Sequence, residues 1–402
     1  MNSKYEVKKL GDYIVQVRGI SYKPTDISEE PIDTHMAVLR ANSIKNNKLI
    51  LEDLIYVNKD LVKENQIIKE NDILIAASSG SKEIVGKSVQ IKDNTNFTFG
   101  AFCKIVRCSE KIEPRYVGYF LRTPYYRSTI SNLVCGANIN NLKNEHIDEL
   151  LIPMPSREIQ QKIVNILDKS QELIDKRKEQ IEALDELVKS QFVEMFGDPV
   201  KNTMNWEIKK VGDIAFVTKL AGFEYTQYIN YQDKGEVIVV KGLNVKEKKL
   251  KLDDVSYIDK ATSDLLPRSQ LKENDLVMTY VGINIGDVAL VDGKNRYHLA
   301  PNVAKISLLE EANINPIFMV NLLYMSRILF SSGATSTAKQ ALNMGRIREI
   351  NIMMPPLELQ EKFAVFAKQV DKLKFKMEKS LKKLEDNFNS LMQKAFKGEL
   401  FN

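Results

Sequence analysis

Gly80, Gly86, Lys87 and Ser88 form the stretch that comes closest to known chemistry. A phosphate-cradling loop places four residues between its glycines, so that successive backbone N–H groups wrap the phosphates. Five stand between Gly80 and Gly86, so the stretch reads as a surface loop. The chain has no G-x-G-x-x-G run, and no N-P-P-Y- or D-P-P-Y-like run of a methyltransferase. Two E-x-K triplets, Glu6 with Lys8 and Glu207 with Lys209, fit a nuclease pattern, but both stand at domain starts, where internal repetition explains them. His35, His146 and His298 are far apart and lack metal-ligand spacing. Cys103, Cys108 and Cys135 are few, odd in number and not zinc-spaced, as expected of reduced cytosolic thiols. No catalytic residue, metal or cofactor is expected in this chain. The remaining candidates are the polar loop residues, whose chemistry is recognition.

The elements that position those loops come from a duplication. Residues 152–163 read IPMPSREIQQKI, and 352–363 read IMMPPLELQEKF, an offset of 200. YEVKKLGDY from Tyr5 pairs with WEIKKVGDI from Trp206, and KENDILI from Lys69 pairs with KENDLVM from Lys272. Three pairs in one order at nearly constant offset mark a tandem repeat, far too long in period for a solenoid. Each copy opens with about 150 mixed residues: short apolar runs such as ILIAA near Ile73 and LVMTYV near Leu276 predict strands. SSGS at 78–81 and GINIG at 282–286 predict loops, and 116–130 predicts short helices.

Each copy closes with a long helix. Apolar positions run Ile159, Ile163, Ile166, Leu173, Ile174, Ile181, Leu184, Val188 and Met195 in the first. In the second they run Leu359, Phe363, Phe366, Val370, Leu373, Met377, Leu381, Leu384, Phe388 and Leu391. Steps of three and four predict a coiled-coil seam. Pro155 and Pro355 suit the helix entrances, and Gly197 and Gly398 the exits. About 40 helical residues extend roughly 60 Å, natural for a spacer. Packing the two seams on each other requires antiparallel helices and an approximate two-fold axis. The expected architecture is α+β: a tandem duplication of a β-rich domain plus a long helix, the helices forming an antiparallel coiled coil. Its segments are 1–152, 153–198, 199–352 and 353–402.

The junctions 152–162 and 352–362, the helix ends SQFVEMFGDP (190–199) and LMQKAFKGEL (391–400), and LAPNVAKI (299–306) together resemble the specificity (S, or HsdS) subunits of type I restriction–modification systems. Ser156 and Arg157 stand where the second copy has Pro356 and Leu357, and Met353 replaces the first proline of that family's junction pattern. The resemblance implies that each target-recognition domain reads one half of a bipartite, gapped site on double-stranded DNA. The helices would set the gap and dock two methyltransferase subunits, and a restriction subunit can join them. S-adenosylmethionine would belong to the methyltransferase partner and ATP to the restriction partner. A coiled-coil scaffold without DNA reading, and a specificity module of a methylation-only or type II-like system, fit the same elements.

Base edges are read by Arg and Lys at guanine, by Asn and Gln at adenine, and more permissively by Ser and Thr. In the first domain the loop candidates are Arg18, Tyr22, Lys23, Arg40, Asn42, Ser78, Ser79, Ser81, Lys82, Asn138, Asn140 and Asn141. In the second they are Lys219, Tyr225, Lys241, Asn244, Tyr280, Asn284, Arg296, Thr335, Lys339 and Gln340. The second helix carries Lys374, Lys376, Lys379, Lys382, Lys383, Lys394 and Lys397 against Glu378, Glu385 and Asp386, a solvated face or a docking face. The net charge of +5 permits a nucleic-acid partner. The chain length of 402 residues calls for more than one core. No apolar run reaches membrane-spanning length, and the first residues do not resemble a signal peptide, so a cytoplasmic protein without a membrane partner is expected.

Overall fold

The computed structural model describes residues 3–134, 140–282, 284–327 and 342–401. The chain divides into two compact units: Met1–Lys178 with Lys379–Asn402, and Glu179–Glu378. Each unit therefore holds one β-rich domain and parts of both long helices, Arg157–Phe196 and Leu357–Lys397.

In the first unit a four-stranded sheet has Cys103–Cys108 paired antiparallel to both Ile14–Arg18 and Ile73–Ala76, with Ser88–Gln90 beyond. A second sheet runs Phe97–Phe99 parallel to His35–Leu39, followed by Ile55–Asn58 and Ile27–Ser28. The second unit repeats this plan. Val303–Leu308 lies between Ala215–Lys219 and Leu276–Thr279. Arg296–Leu299 runs parallel to Val237–Val240. In this unit the hairpin Val245–Lys246 and Lys248–Leu250 joins the main sheet through Val288–Leu290, giving six strands.

The three repeated motifs do structural work. In KEND, Asn71 and Asn274 take left-handed backbone (φ 66 and 69), which asparagine tolerates. The buried Asp72 and Asp275 then accept from the backbone N–H of Lys69 and Lys272, at 2.8 and 2.7 Å. The GD glycines are close-approach points: a Cβ on Gly11 would stand 2.7 Å from Asp148, and one on Gly212 2.9 Å from Arg348. The strands Val7–Lys9 and Ile208–Lys210 tie each domain start to its junction strand, Leu151–Pro153 or Asn351–Met353.

The junction glutamines are buried at the first turn of each helix. Gln160 accepts from the N–H of Glu113 (2.9 Å) and donates to the carbonyl of Pro155 (2.9 Å). Gln360 accepts from the N–H of Asn315 (2.8 Å) and donates to the carbonyl of Pro355 (2.7 Å). Because buried polar groups need partners, this contact fixes where the helix leaves its domain.

Helix pairing within each unit is antiparallel. In the first unit Ile163, Val164 and Leu167 share a core with Met392, Ala395 and Phe396, and Lys178 pairs with Glu385 at 2.9 Å. In the second, Phe192 and Phe196 meet Phe363 at ring distances of 5.2 and 5.6 Å, and Lys374 meets Asp185. The seam expected from heptad spacing is corrected at two positions. Leu173 and Leu373 are exposed (55% and 43%), whereas Val164, Leu167, Phe192, Phe196, Ala367 and Phe396 are buried. A coiled-coil seam is narrow, but each half-helix here must also cover its domain, which widens and rotates the buried stripe.

Candidate nucleic-acid interface

The loops of the first unit converge on one tight turn, residues 99–103. Phe99 and Cys103 point into the core, fully buried. The turn closes with Cys103 N–H donating to Gly100 O at 2.8 Å. Three other segments are sewn to it, and a fourth to one of these. Gly100 N–H donates to Leu39 O (3.0 Å), Ile20 N–H to Phe99 O (2.8 Å), and the N–H groups of Ala77 and Ser78 both donate to Phe102 O (2.8 and 3.1 Å). Leu142 N–H in turn donates to Ala77 O at 2.8 Å. The approach needs glycine at one place: a Cβ on Gly19 would fall 2.2 Å from Gly100 O.

The second unit builds the same hub at residues 299–303. Ala300 N–H donates to Val240 O (3.0 Å), Val303 N–H to Ala300 O (3.3 Å), Tyr280 N–H to Asn302 O (3.2 Å) and Leu342 N–H to Tyr280 O (3.1 Å). Leu39 thus corresponds to Val240, Gly100 to Ala300, Phe102 to Asn302, Ala77 to Tyr280 and Leu142 to Leu342. Gly86 and Gly286, both at positive φ (79 and 87), close the neighbouring loops by donating to Ala76 O and Thr279 O.

This geometry gathers most of the candidates. In the first unit Arg18, Tyr22, Lys23, Arg40, Asn42, Ser78, Ser79, Ser81 and Lys82 lie on segments that enter or flank the hub. Ser78 and Ser79 form a two-residue strand with Asn141 and Asn140 instead of an open loop. In the second unit Lys219, Tyr225, Lys241 and Asn284 lie on the corresponding segments. Lys241 donates to the Ser256 hydroxyl (2.6 Å) and stands 4.8 Å from the Tyr231 ring. Asn138, Thr335, Lys339 and Gln340 lie outside the described residues, as does the side chain of Asn140.

Two candidates are corrected, and a third lies apart from the hub. Asn244 is fully buried: its amide donates to Lys251 O and Asp254 O, and its oxygen accepts from Lys241 N–H. It is the turn cap that Ser43 supplies in the first unit, where Ser43 Oγ accepts from Arg40 N–H at 3.1 Å. Tyr280 is buried, and its hydroxyl is spent on Pro301 O. Arg296 is exposed, but it begins its strand opposite Val237, whereas the hub follows Leu299 opposite Val240. Three residues of strand, about 10 Å, separate it from the others.

Selection by polarity overlooks exposed apolar side chains at the same end. Phe102 is 68% exposed on the hub turn. Phe223, equally exposed, lies in the first turn of the helix Gly222–Tyr228 that follows Lys219, and Leu243 and Val281 are exposed near Lys241 and Tyr280. Beneath the hub each unit buries a lysine. Lys104 donates to Gln16 and Asn144, and burial lowers its pKa to about 8 against the pull of Asp148 and Glu145. Lys305 donates to Gln270 O, and burial lowers its pKa as well.

Lys87 and Ser88 lead into the strand Ser88–Gln90 and not into a helix, so the glycine stretch lacks the strand–loop–helix setting of a phosphate cradle. Glu6 pairs with Lys8, and Glu207 with Lys209, on the exposed sides of matching strands. No group of three metal-ligating side chains is assembled among the described residues. None of the described helices is long and apolar enough to cross a membrane. On the second helix, Lys374 is held by Asp185 at 2.6 Å. With Lys248, Lys249, Lys251, Lys294 and Lys372 it rims a groove of the second unit beside Leu290, at the end of the sheet away from the hub.

The chain as a whole is similar to known proteins. A family model described as "Type I restriction modification DNA specificity domain" matches twice, at residues 2–183 and 204–386. The StySPI specificity subunit of Salmonella potsdam is 28% identical over 411 residues, covering 96% of this chain and 86% of that protein. The EcoKI specificity subunit of Escherichia coli K12 is 28% identical over 408 residues with the same coverage. Among solved structures, an S subunit from M. genitalium aligns with a TM-score of 0.58 at 14% identity, over 98% of this chain and 96% of that one.

Proposed function

The chain belongs to the type I restriction modification DNA specificity family, and on that premise we propose that it selects the DNA sequence for a multisubunit methyltransferase or endonuclease, without catalysing either reaction. Each hub and its flanking loops read one half of a bipartite site in double-stranded DNA. The observation that carries this reading is the duplicated hub: four of its backbone hydrogen bonds recur in both units, while the side chains they turn outward differ. A shared frame with unlike contacts is what two different half-sites require, since base edges and not phosphates encode sequence.

Methyltransferase subunits dock on the long helices, which set the gap between half-sites. A restriction subunit joins the same complex, and the assembly works in the cytoplasm. Genome-wide methylation mapping of cells with and without this chain, each carrying its methyltransferase partner, tests the reading. One gapped motif is expected to lose methylation when the chain is absent; an unchanged methylation pattern would overturn the proposal. Inserting one heptad in each long helix is expected to lengthen the gap and leave both half-sites as they were.

A further inference from the structure

Phe102 and Asn302 occupy the same place in the two hubs. Each sits between a buried apolar pair, Phe99 and Cys103 or Leu299 and Val303, and each turns its side chain outward. Each carbonyl accepts from the residue that follows the central sheet strand, Ala77 or Tyr280. The backbone at this position is therefore pinned from two sides, while its side chain bears no structural duty. An exposed phenyl forgoes the roughly 2–3 kcal/mol that burial would contribute. The turn cannot fold it inward, because the inward positions on either side are already filled.

We infer that position 102/302 is a specificity-determining position in each reading domain, taking thymine in the half-site of the first unit and adenine in that of the second. The inference rests on the DNA-reading function proposed above. A phenyl has no hydrogen bond to give, and the apolar feature of the major groove is the C5-methyl of thymine. Asparagine's amide matches the N6–H donor and N7 acceptor of adenine, a bidentate pair that no other base presents. Ser78 and the segment ending at Leu39 are bonded to the turn that carries Phe102, and the segment ending at Val240 to the turn that carries Asn302, so Arg40 and Lys241 follow directly on strands tied to the two turns, as residue types that can hold phosphates.

The test uses the assembled complex and duplexes carrying its methylated motif. Each thymine is replaced in turn by uracil, which lacks only the methyl, and each adenine by 7-deazaadenine, which lacks only the N7 acceptor. One uracil position in one half-site is expected to weaken binding by about tenfold, and Phe102→Ala should abolish that difference while leaving the other half-site untouched. One 7-deazaadenine position in the opposite half-site is expected to behave the same way against Asn302→Ala. Thermal unfolding of both variants should match the parent, since neither side chain is buried. If every substituted duplex binds the parent within about twofold of the natural one, or the variants keep the parent's penalties, the inference fails while the specificity function stands. If the complex has no sequence preference at all, the underlying function fails instead.

Discussion

The two units share a frame down to individual hydrogen bonds, yet they stabilise it with different side chains. Asp72 in the first is held by two bonds from Arg107, at 2.8 and 2.7 Å, whereas Asp275 at the matching place takes a hydroxyl from Ser307. Ser43 caps one turn and Asn244 the other. Phe396 packs on Tyr116 at 4.9 Å, and Phe196 packs on Phe318 at 4.8 Å. What persists between the copies is the set of backbone donors and acceptors to be satisfied. The side chain that satisfies them is exchangeable, and outward positions with no such duty diverge furthest.

The comparison can be broken most forcefully at the helix ends. Phe196→Ala and Phe396→Ala each remove a fully buried ring and should each cost about 3–5 kcal/mol in denaturant unfolding. A large loss in only one variant would show that the helix ends are not equivalent. Next comes the buried aspartate. Arg107→Leu strips the partner from a carboxylate that is 1% exposed and should cost about 3 kcal/mol. Ser307→Ala removes a single hydrogen bond and should cost about 1 kcal/mol. Equal losses would mean that the two aspartates rely on the same remaining contacts.

A smaller effect is expected from Lys104. The folded chain releases its ammonium proton at about 8, while the unfolded chain does so at the ordinary 10.5. Between these values the unfolded state binds more protons, so stability rises with pH across that window. Unfolding midpoints measured from pH 7 to 10 should rise for the parent relative to Lys104→Met; parallel curves would count against a lowered pKa. Smallest are the exposed pairs Lys48–Asp175 and Lys249–Asp371, one in each unit, both 2.9 Å long. Lys48→Ala and Lys249→Ala should each change stability by less than about 1 kcal/mol.

Much of the fold was legible because its signals are periodic or repeated. The strands at Ile73 and Leu276 and both long helices follow from apolar spacing, and the duplication follows from three matched motifs. The seam was legible only in part. Spacing along a helix reveals that a stripe exists, but Leu173 and Phe192 differ in burial according to which domain surface lies beside them. The interface was less legible still. A loop asparagine is a good cap and a good base reader, and nothing in the order of residues separates Asn244 in the first role from Asn302 in the second. Phe102 is not legible in sequence because an isolated phenylalanine is ordinarily core, and only its pinned turn reveals otherwise.

The buried junction glutamines have a consequence for descent. Gln160 and Gln360 bind their domains through main-chain atoms alone: the amide of Glu113 or Asn315 and the carbonyl of Pro155 or Pro355. A socket made of backbone places almost no demand on the genes that encode it. A reading domain that keeps the apolar surface against the helix ends, as Tyr116 does for Phe396 and Phe318 for Phe196, can diverge elsewhere and still seat the same glutamine. New specificities could then be acquired by exchange at the junction, with the shared helices serving as a common mount.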